Sequence, residues 1–419
     1  MHSASSAKGW AKTYAIFLIF LRLGLTSFGG PSAHLAYFQH EFVQRRRWLS
    51  ATEYGDLVAL CQFLPGPASS QVGFALGWLR HGNKGALAAW LGFTLPSALL
   101  MLALALGFSH YRNGLPSDFL TGIKLAVLAI VAHAVWSLGQ QLCRTRAQLS
   151  LMLLSCCILL CWPGASTQIV VIAGSALIGW RWLTPSPSSP LASAALAQST
   201  PQPPTTHIQR RKAKYWLTIF LLLLLLLPLL AHLSQWPLLQ AIAGFYQAGA
   251  LVFGGGHVVL PMLEAQVVTP GLISSEQFLA GYAAAQVLPG PLFSFAAFLG
   301  TLLPSHPWPW LSGLLCLVAI FLPSGLLVLA VLPVWQQLKQ QAAVRRALAG
   351  ANAAVVGLLL AALYQPLWLS SIYQPTDLAL ALLAWLALAV WQLPAWLLVP
   401  LCGLGYTLLQ SITALGLAL

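Results

Sequence analysis

The chain has 419 residues, 58% of them hydrophobic and only 6% charged, where soluble domains carry roughly a quarter charged residues. That composition excludes a water-soluble globular protein and predicts a polytopic membrane protein, since apolar runs of about 20 residues, enough to span a bilayer, recur along nearly the whole length. The formal net charge of +13 is scattered in small loop clusters beside apolar runs, which is a positive-inside pattern rather than a nucleic-acid footprint.

Lys8 and Lys12 precede an apolar run that continues through Arg22 with no small-residue cleavage site, so a retained first helix is expected rather than a signal peptide. Two stretches then interrupt the apolar pattern, Gly29-Gly30-Pro31 within 13–44 and Leu64-Pro65-Gly66-Pro67 within 56–79. Pro65 and Pro67 remove backbone donors and Gly66 permits dihedrals other residues avoid, so no continuous helix passes through them. Irregular backbone at membrane depth is tolerated only beside protein or a water-filled cavity, so each break marks a place where something polar binds. Single spans follow near 85–108, 119–141, 147–162 and 166–183. A Pro/Ser/Ala/Thr-rich linker over 184–214 has no apolar period. One linking helix is expected over 215–236, and the remainder, 237–419, forms a second half to match the first, 1–183.

The two halves carry the same landmarks. Phe28-Gly29-Gly30 falls on Phe253-Gly254-Gly255 (253 − 28 = 225), and Gln62 with Leu64-Pro65-Gly66-Pro67 falls on Gln286 with Leu288-Pro289-Gly290-Pro291 (286 − 62 = 224). Leu95-Pro96-Ser97 falls on Leu322-Pro323-Ser324 (322 − 95 = 227) and Gly122 on Gly350 (350 − 122 = 228). Near-constant spacing of four landmarks in one order indicates a duplication.

These residues carry a resemblance. Phe28-Gly29-Gly30-Pro31-Ser32-Ala33-His34, Arg45-Arg46-Arg47-Trp48-Leu49, the block from Gln62 to Pro67, and Phe253-Gly254-Gly255-Gly256-His257 resemble the chromate ion transporter family of bacteria in its two-domain, long-chain form. The resemblance runs from about Arg22 to Ala362. It implies export of chromate from the cytoplasm; the residues alone lead to an oxyanion transporter and not to chromate.

Charge gives an orientation. Cationic clusters at Lys8/Lys12, Arg45–Arg47, Arg80/Lys84, Arg144/Arg146 and 210–214 are expected in the cytoplasm. Parity then turns 13–44 and 56–79 into hairpins, either re-entrant or doubly spanning. The loops near 264–276 and 305–309 contain no Lys or Arg, as external loops should. The linking helix thus inverts the second repeat, giving an N-in, C-out protein of the bacterial cytoplasmic membrane with two inverted-topology repeats, an all-α architecture typical of secondary transporters.

Candidate binding residues follow from the breaks. Helix starts after Pro31 and Pro67 present unpaired N–H groups that attract anions, with Ser32, Ser69 and Ser70 beside them; these serines either meet an oxyanion or cap their own helices. The second half offers Gly255, His257, Gln286, Pro289, Gly290, Pro291 and Ser294 at equivalent places. Arg22 and Lys124 sit within apolar runs, opposite neutral Gln247 and Asn352 in the repeat. Either they are counter-charges for a dianion, or Arg22 snorkels and Lys124 lies near the membrane face. Arg45, Arg46 and Arg47 either concentrate anions at a cytoplasmic mouth or serve orientation alone, with Glu41 and Asp56 as available partners. His34 and His257 are candidates for proton coupling, with hydrogen-bonded packing as the alternative.

The seven cysteines lack paired metal-type spacing and read as small core residues. No nucleotide-binding motif, metal-ligand cluster or nucleophile–base set appears, so no cofactor is expected, and transport must draw on an ion gradient or the membrane potential. The expected partners are a chromate- or sulfate-like oxyanion, the lipid bilayer, a coupling ion such as the proton, and a second copy of the chain; nucleic acid is not among them. Sulfate is the rival substrate because it shares chromate's charge and tetrahedral shape. A channel or an intramembrane enzyme is the rival of another class.

Overall fold

The computed structural model describes residues 2–110, 116–183, 207–234, 236–253, 256–304, 308–338 and 341–416, all helix, turn or loop, with no strand among them. The first half runs α1 (His2–Thr26), α2 (Gly30–Gln39, continued by a wide π turn over His40–Arg45), α3 (Ala51–Phe63), α4 (Ala68–His110), α5 (Ser117–Leu142), α6 (Arg146–Cys161) and α7 (Ala165–Trp182). The second half follows α8 (His207–Ser234) with α9 (Pro237–Leu251), α10 (Val259–Val267), α11 (Ser275–Val287), α12 (Phe295–Leu302), α13 (Pro309–Val331), α14 (Ala342–Ala362), α15 (Pro375–Ala389) and α16 (Ala395–Gly416). Among the described residues, six helical stretches are long and apolar enough to cross a membrane, including Ser117–Leu142 and Arg211–Ser234. This is an all-α polytopic membrane protein.

Each interruption has a visible cause. Leu64 and Leu288 leave the helical region for extended backbone (ψ 147° at both), because the prolines that follow disfavour the α region in the residue before them. Matching capping boxes start the helices that lead into these breaks. Ser50 Oγ accepts from the Glu53 amide while the Glu53 carboxylate accepts from the Ser50 amide, and Ser274 and Gln277 do the same at α11. The expected loop between Arg80 and Lys84 is a fold-back inside α4, where His81 (φ −152°) and Gly82 (φ 59°) are non-helical. The arms α3 and α11 have 13 residues each, about 20 Å of helix at 1.5 Å per residue, short of the roughly 30 Å hydrocarbon core. The linking helix starts at His207, so the residues from 207 to 214 are helical rather than linker; the rest of the expected linker, 184–206, lies outside the described residues.

Contacts between the halves come in matched pairs. A Cβ on Gly122 of α5 would strike the Cys402 carbonyl of α16, and one on Gly350 of α14 would strike the Ser175 carbonyl of α7, so both crossings depend on the bare glycine face that lets two backbones touch. Tyr246 Oη donates to the Phe220 carbonyl (3.1 Å) and ties α8 to α9. The remaining face of α8 exposes Leu222, Leu225, Leu229 and Leu233, as a lipid-facing helix does.

Candidate functional site: a polar cavity between the two halves

The two proline–glycine breaks dock crosswise. Gly66 N–H donates to the Val252 carbonyl (2.6 Å) beside the second half's glycine break, and Gly290 N–H donates to the Ser27 carbonyl (3.0 Å) beside the first half's. Both glycines have positive φ, 122° and 103°, outside the range of L residues. A Cβ on Gly66 would meet Ser324 Oγ, and one on Gly290 would meet Ser97 Oγ. Each half therefore seats its Leu-Pro-Gly-Pro turn against the Leu-Pro-Ser helix of the other, and the Gly66 and Gly290 amides freed by the breaks find carbonyl partners across the interface.

His34 reinforces this junction. Its Nε2 lies 3.2 Å from the Ser27 carbonyl, which can only accept, so the ring proton sits on Nε2, leaving Nδ1 to accept from Ser69 Oγ (3.4 Å). Ser27, His34, Ser69 and Gly290 thereby join three breaks in one buried network. Ser294 Oγ likewise donates to the Pro291 carbonyl (2.8 Å).

Around the breaks lies a cavity of about 1290 Å³. From the first half it is lined by Gly29, Gly30, Ser32, Gln62 and Gly66, and from the second by Gly256, His257 and Gln286. The N-terminus of α2 opens into it: Gly29 caps the helix with left-handed backbone (φ 96°) and no side chain takes the first amides. The Tyr282 hydroxyl (2.8 Å) and the Gln286 amide (3.3 Å) both donate to His257 Nδ1, so the proton of this ring is on Nε2. One wall is the face of α5 that carries His133, Ser137 and Gln141, continued beyond its end by Arg144 and by Gln148 at the start of α6; another is the face of α14 that carries Arg345, Leu348, Ala349 and Asn352. Among the described lining residues are two arginines and two histidines and no Asp or Glu.

Of the sequence candidates, Gly29, Gly30, Ser32, Gln62, Gly66, His257, Gln286 and Asn352 meet at this cavity. Ser69, Ser70, His34 and Ser294 are buried in the packing behind it, and Pro65, Pro67, Pro289, Gly290 and Pro291 shape the turns without lining it. Gly255 lies outside the described residues. Arg22 is exposed on α1, away from the cavity lining. Lys124 Nζ pairs with Glu276 (3.1 Å), and of the two repeat-related positions it is the neutral Asn352 that reaches the cavity. Arg45 and Arg46 close on the Glu41 carboxylate at 3.0 and 2.6 Å, and Arg47 adopts left-handed backbone (φ 51°) in the turn that follows. Arg144, Arg345, His133, Gln141 and Gln148 are lining residues that sequence reasoning passed over. A signal was present: His133, Ser137, Gln141 and Arg144 recur at helical spacing in an otherwise apolar span.

Fold and cavity together define a polytopic helical membrane protein with an electropositive polar chamber between its halves. The chromate transporter family model matches residues 14–180 and 239–407, two segments separated by the repeat offset (239 − 14 = 225; 407 − 180 = 227). Similar proteins include a probable chromate transport protein of Synechococcus elongatus, 31% identical over 325 residues (76% of this chain, 75% of the relative). The chromate transport protein of Cupriavidus metallidurans is 27% identical over 364 residues (85% and 83%), and that of Pseudomonas aeruginosa 28% over 352 residues (82% and 78%). No solved structure matches. The chain belongs to the chromate transporter family, and membership implies an oxyanion substrate.

Proposed function

We propose that this protein is a secondary transporter that exports chromate from the cytoplasm and so confers chromate resistance, with sulfate as the competing substrate of the same charge and shape. The observation that carries the reading is the cavity itself: residues of the first half's two breaks, Gly256 and His257 of the second half, the helix-start amides of α2 and two guanidinium groups line one chamber, and among the described residues no carboxylate does. Such a lining can replace the hydration shell of a dianion. The cavity's arginines, Arg144 and Arg345, lie at the end where α5 stops and α14 starts, and the positive-inside rule assigns that end to the cytoplasm. In this arrangement the N-terminus and linker are cytoplasmic, the C-terminus is periplasmic, and the halves are inverted repeats; the paired reciprocal contacts support that symmetry. Cysteine labelling that found residues 184–206 and the C-terminus on the same side would refute it.

No nucleotide is required. Moving a dianion out of an electrically negative cytoplasm is favoured by about 4.6 kcal/mol per 100 mV, twice the single-charge figure. A coupled proton remains an added element of the proposal, with His257 and His133 at the cavity as the groups to carry it. The direction is tested by loading cells with radiolabelled chromate: expression should lower retained chromate below that of cells with an empty vector, and higher retention would mean import.

A further inference from the structure

We propose that Arg345 and Arg144, one from each half, form an entry subsite for a divalent tetrahedral oxyanion at the end of the cavity where α5 ends and α14 begins; the assignment rests on the oxyanion reading above. Three observations carry it. First, both side chains line the cavity, and no carboxylate among the described residues does.

Second, Arg345 Nε is buried with no hydrogen-bond partner, and among the described residues Arg345 makes no ion pair. A buried guanidinium donor left unmet in a native protein is costly. A planar fork of donors is also the group best matched to two oxygens of a tetrahedral anion. Third, Arg345 and Arg346 follow directly on the start of α14, where Gln341 provides no side-chain cap and the first turn has no acid. Cations beside the positive end of a helix repel it. An anion bound there reverses the sign of that interaction and takes up the amides together with the guanidinium.

Arg144 is held for the same task from the opposite wall. Its own amide donates to Gln148 Oε1 (3.1 Å), and its Nε donates to the Gln140 carbonyl (3.3 Å). From this pair the polar faces lead inward: Asn352 lies two turns along α14 from Arg345, about 10 Å at 1.5 Å per residue, and His133 lies about 13 Å along α5 from its Leu142 end, next to Arg144. The anion is thus received by charge at the mouth and passed to neutral amides and imidazoles at the breaks, where weaker binding permits release.

Equilibrium binding of radiolabelled chromate and sulfate to the purified full-length protein in nanodiscs of zwitterionic lipid tests the subsite without depending on transport. Arg345→Gln and Arg144→Gln should each weaken binding of both dianions roughly tenfold, the loss of one charge-assisted hydrogen bond. Arg345→Lys, which keeps the charge and loses the fork, should fall between. If Arg345→Gln is not recovered folded, Arg345→Lys and Arg144→Gln decide the matter. Unchanged affinity in the folded variants would overturn the subsite even if the wild type transports chromate. Binding lost in the variants but no flux by the wild type would keep the subsite and reject the transport reading. An affinity difference that appears only in nanodiscs containing anionic lipid would assign the arginines to a headgroup phosphate and overturn the proposal.

Discussion

Gly66→Ala is the substitution that most sharply probes the crosswise docking of the two halves. At φ 122° an alanine carries about 1 to 3 kcal/mol of backbone strain. Its Cβ would also be driven into Ser324 Oγ, with Gln71 Nε2 at 2.8 Å and Ser324 Cβ at 3.1 Å, which adds about 1 to 3 kcal/mol of overpacking. The total, about 2 to 6 kcal/mol, falls on a turn whose amide donates to Val252 across the interface. Gly30→Ala supplies the comparison, since its φ is also positive (77°) but a Cβ there meets nothing within 4 Å; it should cost the strain alone, about 1 to 3 kcal/mol. Thermal unfolding in detergent should therefore rank Gly66→Ala below Gly30→Ala. Combining Gly66→Ala with Ser324→Gly should recover the overpacking share as a coupling between contacting residues. The docking argument fails if Gly66→Ala is no more costly than Gly30→Ala, or if Ser324→Gly restores nothing.

His34→Ala should destabilise the protein by about 2 to 4 kcal/mol, because it leaves a cavity and removes both bonds of a buried imidazole; a His34→Ala protein as stable as wild type in the same unfolding assay would contradict the bracing role. Lys124→Met should change stability by no more than about 1 kcal/mol, since Glu276 is 66% exposed, and should leave chromate flux near wild type; loss of flux with normal membrane abundance would return Lys124 to the binding site. At the exposed start of α3, hydrogen bonds from the Ser50 amide and hydroxyl hold the Glu53 carboxyl below its ordinary range. The folded form is thus the weaker proton binder. The stabilisation is present above the ordinary carboxylate pKa and is lost as pH falls through the depressed one, so Glu53→Gln should flatten the acid limb of the stability profile by lowering stability slightly at neutral pH while leaving it little changed in acid; a variant whose acid limb is as steep as that of the wild type would contradict this.

Much of the scaffold was legible because its signals are local. Proline and glycine declare the breaks, Ser50 and Ser274 declare the helix starts, and Glu41 sits within a turn of the arginines it binds. The repeat identified positions that the fold then pairs across the halves, Gly66 with Ser324 and Gly290 with Ser97. The cavity lining was less legible because it depends on which face each helix turns inward. Ser69, Ser70 and Ser294 are buried behind the cavity rather than lining it. Lys124 looked uncompensated because its partner, Glu276, is 152 residues away. The positive-inside rule already accounts for Arg144, and only the packing of α5 against α14 brings it and Arg345 to one cavity.

Uptake of radiolabelled chromate into everted membrane vesicles tests the central claim most directly, since the cytoplasmic face then looks outward. Under an imposed lumen-positive potential, vesicles containing the protein should accumulate chromate above empty controls, excess sulfate should compete, and collapsing the potential should abolish the excess. Uptake equal to that of empty vesicles under the same potential would contradict export of an oxyanion by this protein.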